Sequence, residues 1–188
     1  APGTSMIQYG RSFWLASFPK SRQPSWPRLR GRIEADVAIV GGGLTGCTVA
    51  HAFAAAGIRT VLCEAGRIGQ GATGAGHGVL SVTPSPSFID LDASYGRHAA
   101  REMTDMYRRA ALEFAALLRR LRIRCGLEPQ AGVWLAADRP GEKALRREYE
   151  ERCSVGMDAS WMKGARLQKD LGVQAAGALA TPASLVLD

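Results

Sequence analysis

The sequence has no uncharged apolar run of eighteen or more residues, which excludes a membrane-spanning helix of ordinary length. Its first thirty residues carry Arg, Lys, Pro and Trp where a secretory signal would place an unbroken apolar block, so the expectation is a soluble, unexported, cytoplasmic protein. The four cysteines, Cys47, Cys63, Cys125 and Cys153, form no C-x-x-C pair and have no histidine at metal-ligand spacing. That pattern argues against a zinc site or a disulfide framework, and no metal is expected. Cys47 and Cys63 fall in a predicted helix and a predicted strand and are read as buried free thiols. No internal repeat or low-complexity tract occurs. Acidic residues are in the minority, 17 against 24 Lys plus Arg, and the resulting charge of +7 raises nucleic acid or an acidic ligand as partners. From Arg97 to Arg152, however, the basic residues alternate with Glu102, Asp105, Glu113, Glu142, Glu148, Glu150 and Glu151, as on solvated helix faces. Only Arg11 to Arg32 is basic without relief, and it shows little of a known nucleic-acid module, so no nucleic-acid partner is expected.

What is present is a chain of 188 residues, 46% hydrophobic, enough for one domain or a domain with part of another. Ala1–Ser5, before Met6, read as a cloning remnant, and residues 1–35 as an extended N-terminal segment. Within it "RSFWLASFPKSRQPSWPRLRGR" shows neither helical nor strand periodicity and is expected to lie extended, anchored by its aromatics. Asp36 to Val40 reads as a fully buried strand, because no polar residue alternates with Val37, Ala38, Ile39 and Val40. Leu44 to Ala56 reads as an alanine-rich helix ended by Gly57. "RTVLCE" supplies a second strand with Glu64 at its end, so Asp36 to Glu64 spells one β-α-β unit. A glycine-rich loop follows from Gly66 to Gly78, and "PSPS" closes the loop region. Apolar residues then recur at Met103, Met106, Ala110, Phe114, Leu117 and Leu121, predicting one long core-packed helix from about Ala93 to Arg124. "AGVWLAAD" predicts a strand, Asp138 and Pro140 open a helix running to about Arg152, "SWM" is a weak strand, "GARLQKDLG" a short helix, and "GALATPASLVLD" an extended segment.

In "GGGLTG" the glycines Gly41, Gly43 and Gly46 satisfy G-x-G-x-x-G between a strand and a helix, the context that makes this pattern informative. Gly41 permits the tight turn, Gly43 lets a pyrophosphate approach the backbone, and Gly46 lets the helix pack closely on the strand. The first amides of the helix and the positive end of its dipole then hold the phosphates. Glu64, eighteen residues after Gly46, is placed to accept the hydroxyls of an adenosine ribose and to repel a 2′-phosphate, which disfavours NADP. These features alone leave FAD and NAD open. The second glycine-rich loop, directly after Glu64, offers many amides and few side chains to a long ligand lying against the backbone.

The stretch "SFWLAS…LRGRIEADVAIVGGGLTGCTVAHAFAAAGIRTVLCEAGRIGQGATGAGHG" resembles the amino-terminal part of the FAD-dependent oxidoreductases related to D-amino-acid oxidase, glycine oxidase and sarcosine oxidase. It is most similar to the bacterial gamma-glutamylputrescine oxidase-like branch. The resemblance is strong from Ser12 to Val82 and weaker beyond. It implies an α/β fold, a Rossmann-like, glutathione-reductase-like FAD-binding domain over 36–92, and the beginning of a mixed α+β substrate domain over 93–188. It implies FAD as cofactor. Gly41, Gly43, Leu44, Thr45 and Gly46 would surround the pyrophosphate, and Glu64, Ala65 and Arg67 would bind the adenosine side. Gly71, Ala72 and Thr73 match the family's G-A-S, with the Thr73 hydroxyl a phosphate donor, and Gly76, His77 and Gly78 would approach the isoalloxazine. "AGHG" departs from the usual "RNGG". His77 is read as a non-covalent loop histidine, because relatives that attach flavin through histidine place it nearer the position of Thr73. His51 and His98 have no partner suggesting catalysis.

The resemblance further implies hydride transfer from a carbon beside an amine to flavin N5, giving an imine that water hydrolyses. The cofactor performs the redox step, and no catalytic residue is nominated in this segment. Family members are about twice this length, so a companion polypeptide carrying the C-terminal half is expected, with Asp188 marking a cleavage or a split. A small amine or amino acid is the implied substrate; its identity and the electron acceptor are beyond this sequence. A non-catalytic nucleotide-binding module and a flavin monooxygenase component are the alternative readings.

Overall fold

The computed structural model describes residues 12–18 and 20–187. Ala1–Ser5, expected above to be a remnant, and Asp188 lie outside the described residues. The chain divides into two compact units, Ala1–His77 and Gly78–Asp188.

The first unit opens with a single helical turn, α1 (Phe13–Ser17), and a 3-10 turn at Lys20–Arg22, where the sequence suggested only extended chain. One turn is too short to display a 3.6-residue period, so the pattern had nothing to register. Of its aromatics, Trp14 is half-buried, while Phe13 and Trp26 are 69% and 63% exposed, so only the first of the three anchors the segment. Strand β1 (Val37–Val40), helix α2 (Leu44–Ala55) and strand β2 (Thr60–Cys63) then form the β-α-β unit, with β1 and β2 parallel and Val40 opposite Cys63. Asp36 and Arg59 clamp the two strand entrances, Arg59 Nη2 donating to Asp36 Oδ1 at 2.9 Å.

β1 is not fully buried: Val40 is 91% exposed, and Cys63 beside it is exposed too. A parallel sheet is buried only when both faces are covered, and among the described residues this one has two strands with α2 packed on them. Cys47 is half-buried, its Sγ 3.7 Å from the Gly42 carbonyl.

The second unit is built on β6 (Gly177–Val186), the central strand of an antiparallel sheet. β4 (Glu128–Ala136) runs along one edge of β6, and β5 (Ser160–Lys163) and the two-residue β3 (Val79–Leu80) share the other. Helices α3 (Phe88–Tyr95), α4 (Arg97–Arg120), α5 (Arg139–Ser154) and α6 (Gly164–Leu171) complete the unit. Asp138 caps α5 as its position predicts, accepting from the Gly141 amide at 2.8 Å.

The expected single helix from Ala93 to Arg124 is two helices. Gly96 has φ +82°, a left-handed value that ends α3 and starts α4. The buried face of α4 is also one residue round from the expected stripe: Ala100, Thr104, Ala111, Ala115 and Leu118 are buried, whereas Met103 and Met106 are 37% and 60% exposed. Small side chains let α4 approach its neighbours closely, and the hydrophobic pattern weighted the methionines over them. Glu148 and Arg152, expected on a solvated face, are buried at 3% and 2% exposure and pair at 2.6 Å. Among the described residues no helix is long and apolar enough to cross a membrane.

Candidate cofactor site

The turn from β1 into α2 carries the site. Gly41 adopts φ +104°, a conformation that side chains rarely tolerate, and its amide donates to the Cys63 carbonyl at 2.8 Å. The chain is thereby turned at the carboxyl end of both strands, so that α2 starts beside the sheet edge. Gly43 is the N-cap residue, and no acidic side chain stands in the first turn to neutralise the positive end of the helix. The amides of Thr45 and Gly46 make no hydrogen bond within the described residues. They are the orphan donors that a helix N-terminus offers to an anion.

The second glycine-rich loop closes on this turn through two side chains. Thr73, in a 3-10 turn at Ala72–Ala75, accepts the Leu44 amide on Oγ1 at 2.8 Å. Glu64 accepts the Gly42 amide on Oε2 and the Gly66 amide on Oε1, both at 2.7 Å. The Gly69 amide adds a bond to the Gly42 carbonyl at 2.9 Å. The result is an open cleft of about 410 Å³ lined by Ile39, Val40, Gly41, Gly43, Leu44, Thr45, Gly46, Val49, Ala72 and Thr73. A Cβ on Gly43 would stand 3.2 Å from Thr73 Oγ1, and one on Gly46 would stand 1.9 Å from the Gly41 carbonyl oxygen. The cleft is thus shaped by missing side chains and lined by Thr45 and Gly46, whose amides carry no bond among the described residues, and this donor set fits a pyrophosphate.

Seven of the residues expected from the sequence line this cleft: Gly41, Gly43, Leu44, Thr45, Gly46, Ala72 and Thr73. Glu64 sits beside it and has a second task that the sequence did not suggest, tying the two loops together. Each of its oxygens keeps a further lone pair for a ribose hydroxyl. Ala65 follows it, exposed. Arg67 Nη1 donates to Gln23 Oε1 at 2.8 Å, and Gly71 is the N-cap of the 3-10 turn. The Gly76 carbonyl accepts from Trp14, and His77 ends the unit. Gly78 belongs to the second unit, where its carbonyl accepts the Leu187 amide at 2.7 Å. His98 faces Glu102 at 3.4 Å on the exposed side of α4.

Four contributors were missed: Ile39 and Val40, read only as strand residues, and Gly42 and Val49. Gly42 supplies the amide that holds Glu64, and a Cβ there would meet Ile68 at 3.1 Å and the Glu64 Cβ at 3.2 Å. Its signal was a glycine at a position where the pattern requires none. Val49 lines the cleft one turn along α2, where only the structure could place it.

The two amides on Glu64, that of Gly42 foremost, hold its carboxyl below the usual glutamate value despite an opposing desolvation. A carboxyl whose folded-state pKa lies below its unfolded value of about 4.3 stabilises the fold at every pH above that value. The contribution is lost as pH falls through the lowered folded-state value. An NMR titration is therefore expected to give Glu64 a midpoint below that of a free glutamate, with the Gly42 and Gly66 amides shifting in the same step. A midpoint at or above the free value would contradict the bridge.

The sequence profile of the FAD dependent oxidoreductase family matches residues 36–188. Gamma-glutamylputrescine oxidoreductase of Escherichia coli (strain K12) is 32% identical over 145 residues, covering 77% of this chain and 33% of that protein. The chain thus spans about a third of that relative's length. Among solved structures, glycine oxidase from Geobacillus kaustophilus superposes with a TM-score of 0.65 at 24% identity, over 81% of this chain and 40% of the other. L-Amino acid deaminase from Proteus myxofaciens superposes with a TM-score of 0.62 at 17% identity, over 89% of this chain and 36% of the other. At those identities the superpositions speak for the fold, while the profile, which takes in the whole β-α-β unit and the sheet after it, speaks for the family. This chain belongs to the FAD dependent oxidoreductase family.

Proposed function

We propose that this chain is the amino-terminal, FAD-holding part of an oxidoreductase acting on an amine or amino acid at the carbon beside nitrogen. The observation that carries the reading is the union of the two glycine-rich loops, through Glu64 and Thr73, around an α2 N-terminus whose Thr45 and Gly46 amides are free. Those amides bind the pyrophosphate, with Gly41, Gly43 and Leu44 around it and the Thr73 hydroxyl as a further donor. Glu64, with Ala65 and Arg67, binds the adenosine side, and Gly71, Ala72, Gly76 and His77 carry the loop toward the flavin ring. Bound FAD supplies two-electron acceptor chemistry. The chain's own residues bind it, orient it and exclude water from its phosphates.

The reading includes a companion polypeptide that completes the fold and supplies the substrate-binding residues. It is supported by the exposure of Val40, Leu44 and Val49, at 91%, 50% and 38%, around the cleft. Four free cysteines fit a reducing cytoplasmic setting.

The visible spectrum of the intact protein tests the reading. Flavin bands that bleach anaerobically on adding amines or amino acids are expected. A colourless protein that takes up no FAD would instead favour a non-catalytic nucleotide-binding module. Bleaching by NADPH and not by amines would point to a monooxygenase component. Intact mass and denaturing electrophoresis test the companion: a single species ending at Asp188, active alone, would remove it.

A further inference from the structure

The second glycine-rich loop has little with which to hold its own shape. Gly71, Gly74 and Gly76 contribute no side chains to pack, and each loses more conformational freedom on ordering than any other residue type. On one side Thr73 ties the loop to the start of α2. On the other, α1 holds it with three contacts that lie far apart in sequence. Ser12 Oγ donates to the Gly74 carbonyl. Trp14 Nε1 donates to the Gly76 carbonyl at 2.7 Å. Leu15 lies so close to Gly74 that a Cβ there would be 2.9 Å from its Cδ2 and 2.5 Å from the Gly69 carbonyl oxygen. The two carbonyls so engaged bracket the segment that leaves the Thr73 position. Phe13 packs edge-on against the Trp14 ring, with centroids 5.3 Å apart.

We propose that Ser12–Leu15 is a clasp that preorganises the second glycine-rich loop for the cofactor, with Trp14 its positioning residue. The inference rests on the reading of that loop as part of the FAD site. Trp14 does not touch the reacting atoms; it acts through the Gly76 carbonyl. A clasp of this kind lowers the ordering cost that binding would otherwise meet, so its loss is read in cofactor affinity before it is read in global stability.

The test compares Trp14→Phe, which keeps an aromatic ring and deletes the donor, with Ser12→Ala and with the unaltered intact protein. Two readouts are used: FAD titration by flavin fluorescence, and hydrogen exchange of the Thr73–Gly76 amides without ligand. Trp14→Phe is expected to weaken FAD binding about fivefold, the worth of one net hydrogen bond. The loop amides are expected to exchange faster, while the thermal midpoint moves by no more than about 2 °C. Ser12→Ala is expected to act in the same direction and guards against a tryptophan variant that fails to fold. FAD affinity within twofold of the unaltered protein, with loop exchange unchanged, would overturn the clasp. So would a fall in affinity that only tracks a fall in stability. If the unaltered protein binds no FAD, the cofactor reading fails, and loop exchange in the ligand-free protein still decides whether Trp14 holds the loop.

Discussion

Replacing Gly46 by alanine is expected to cost the protein its FAD. A Cβ at this position would lie 1.9 Å from the Gly41 carbonyl oxygen and 3.1 Å from its carbon, against roughly 3.5–4.0 Å for comfortable carbon contacts. The obstructing atom is backbone, so no rotamer change relieves it. Gly41 cannot retreat, because its amide is bonded to Cys63 at the end of β2 and its φ of +104° already fixes the turn. Relief must come from moving α2 off β1, which shifts the Thr45 and Gly46 amides and the Leu44 amide held by Thr73. Forced overpacking of this kind costs about 1–3 kcal/mol or more. At the upper end that is a loss on the order of 100-fold in FAD affinity, accompanied by a lower thermal midpoint. Retention of FAD within threefold by Gly46→Ala would show that α2 is not held where the structure places it.

Much of this site was legible because its chemistry is local. A strand, a G-x-G-x-x-G turn and a helix follow one another without interruption, and the distance from Gly46 to Glu64 is set by the lengths of α2 and β2. What could not be read is what depends on contacts distant in sequence. Nothing in "SFWLAS" says that Ser12 and Trp14 each reach a glycine carbonyl sixty-two residues away. Glu64 reads from its position as a ribose ligand, but its part as a bridge could not be read, because its two amide partners belong to different loops.

The misplaced elements have equally specific causes. α3 is eight residues long, and its start is marked by a capping box between Ser87 and Asp90. With Asp in the third position instead of the usual Glu or Gln, and "PSPS" just before it, the signal read as loop. The face of α4 was misjudged because alanines, not methionines, make its close contacts. Val40 read as buried because an unbroken apolar run implies cover on both faces, whereas among the described residues Val40 is left 91% exposed.

The second large effect is expected at Glu148, which local pattern hid within the charged run "REYEER". Its Oε1 accepts the Phe88 amide at 2.7 Å and Arg152 Nε at 2.6 Å, and its Oε2 accepts the Ile89 amide at 3.0 Å. Ser87 Oγ accepts the Asp90 amide and Asp90 Oδ2 the Ser87 amide, so all four orphan amides at the start of α3 are satisfied, two of them by a side chain from α5. The carboxylate also stands at the positive end of α3 and neutralises Arg152, whose guanidinium lies over the Trp134 ring at 4.7 Å. Glu148→Ala removes all of this at once, leaving a buried cation, the buried Phe88 amide and the part-buried Ile89 amide without acceptors beside the core cluster of Phe88, Leu91 and Ala100. Breaking one side of such a pair costs about 3–5 kcal/mol. The thermal midpoint of the intact protein should fall by on the order of 10 °C. The paired replacement Glu148→Leu with Arg152→Met removes both charges and is expected to recover part of that loss, since the buried cation is the larger share of it. It should not recover all, because the Phe88 and Ile89 amides stay unbonded. A loss below about 1 kcal/mol in Glu148→Ala, the range of an exposed pair, would mean that water reaches this cluster and that α3 is held by its capping box alone.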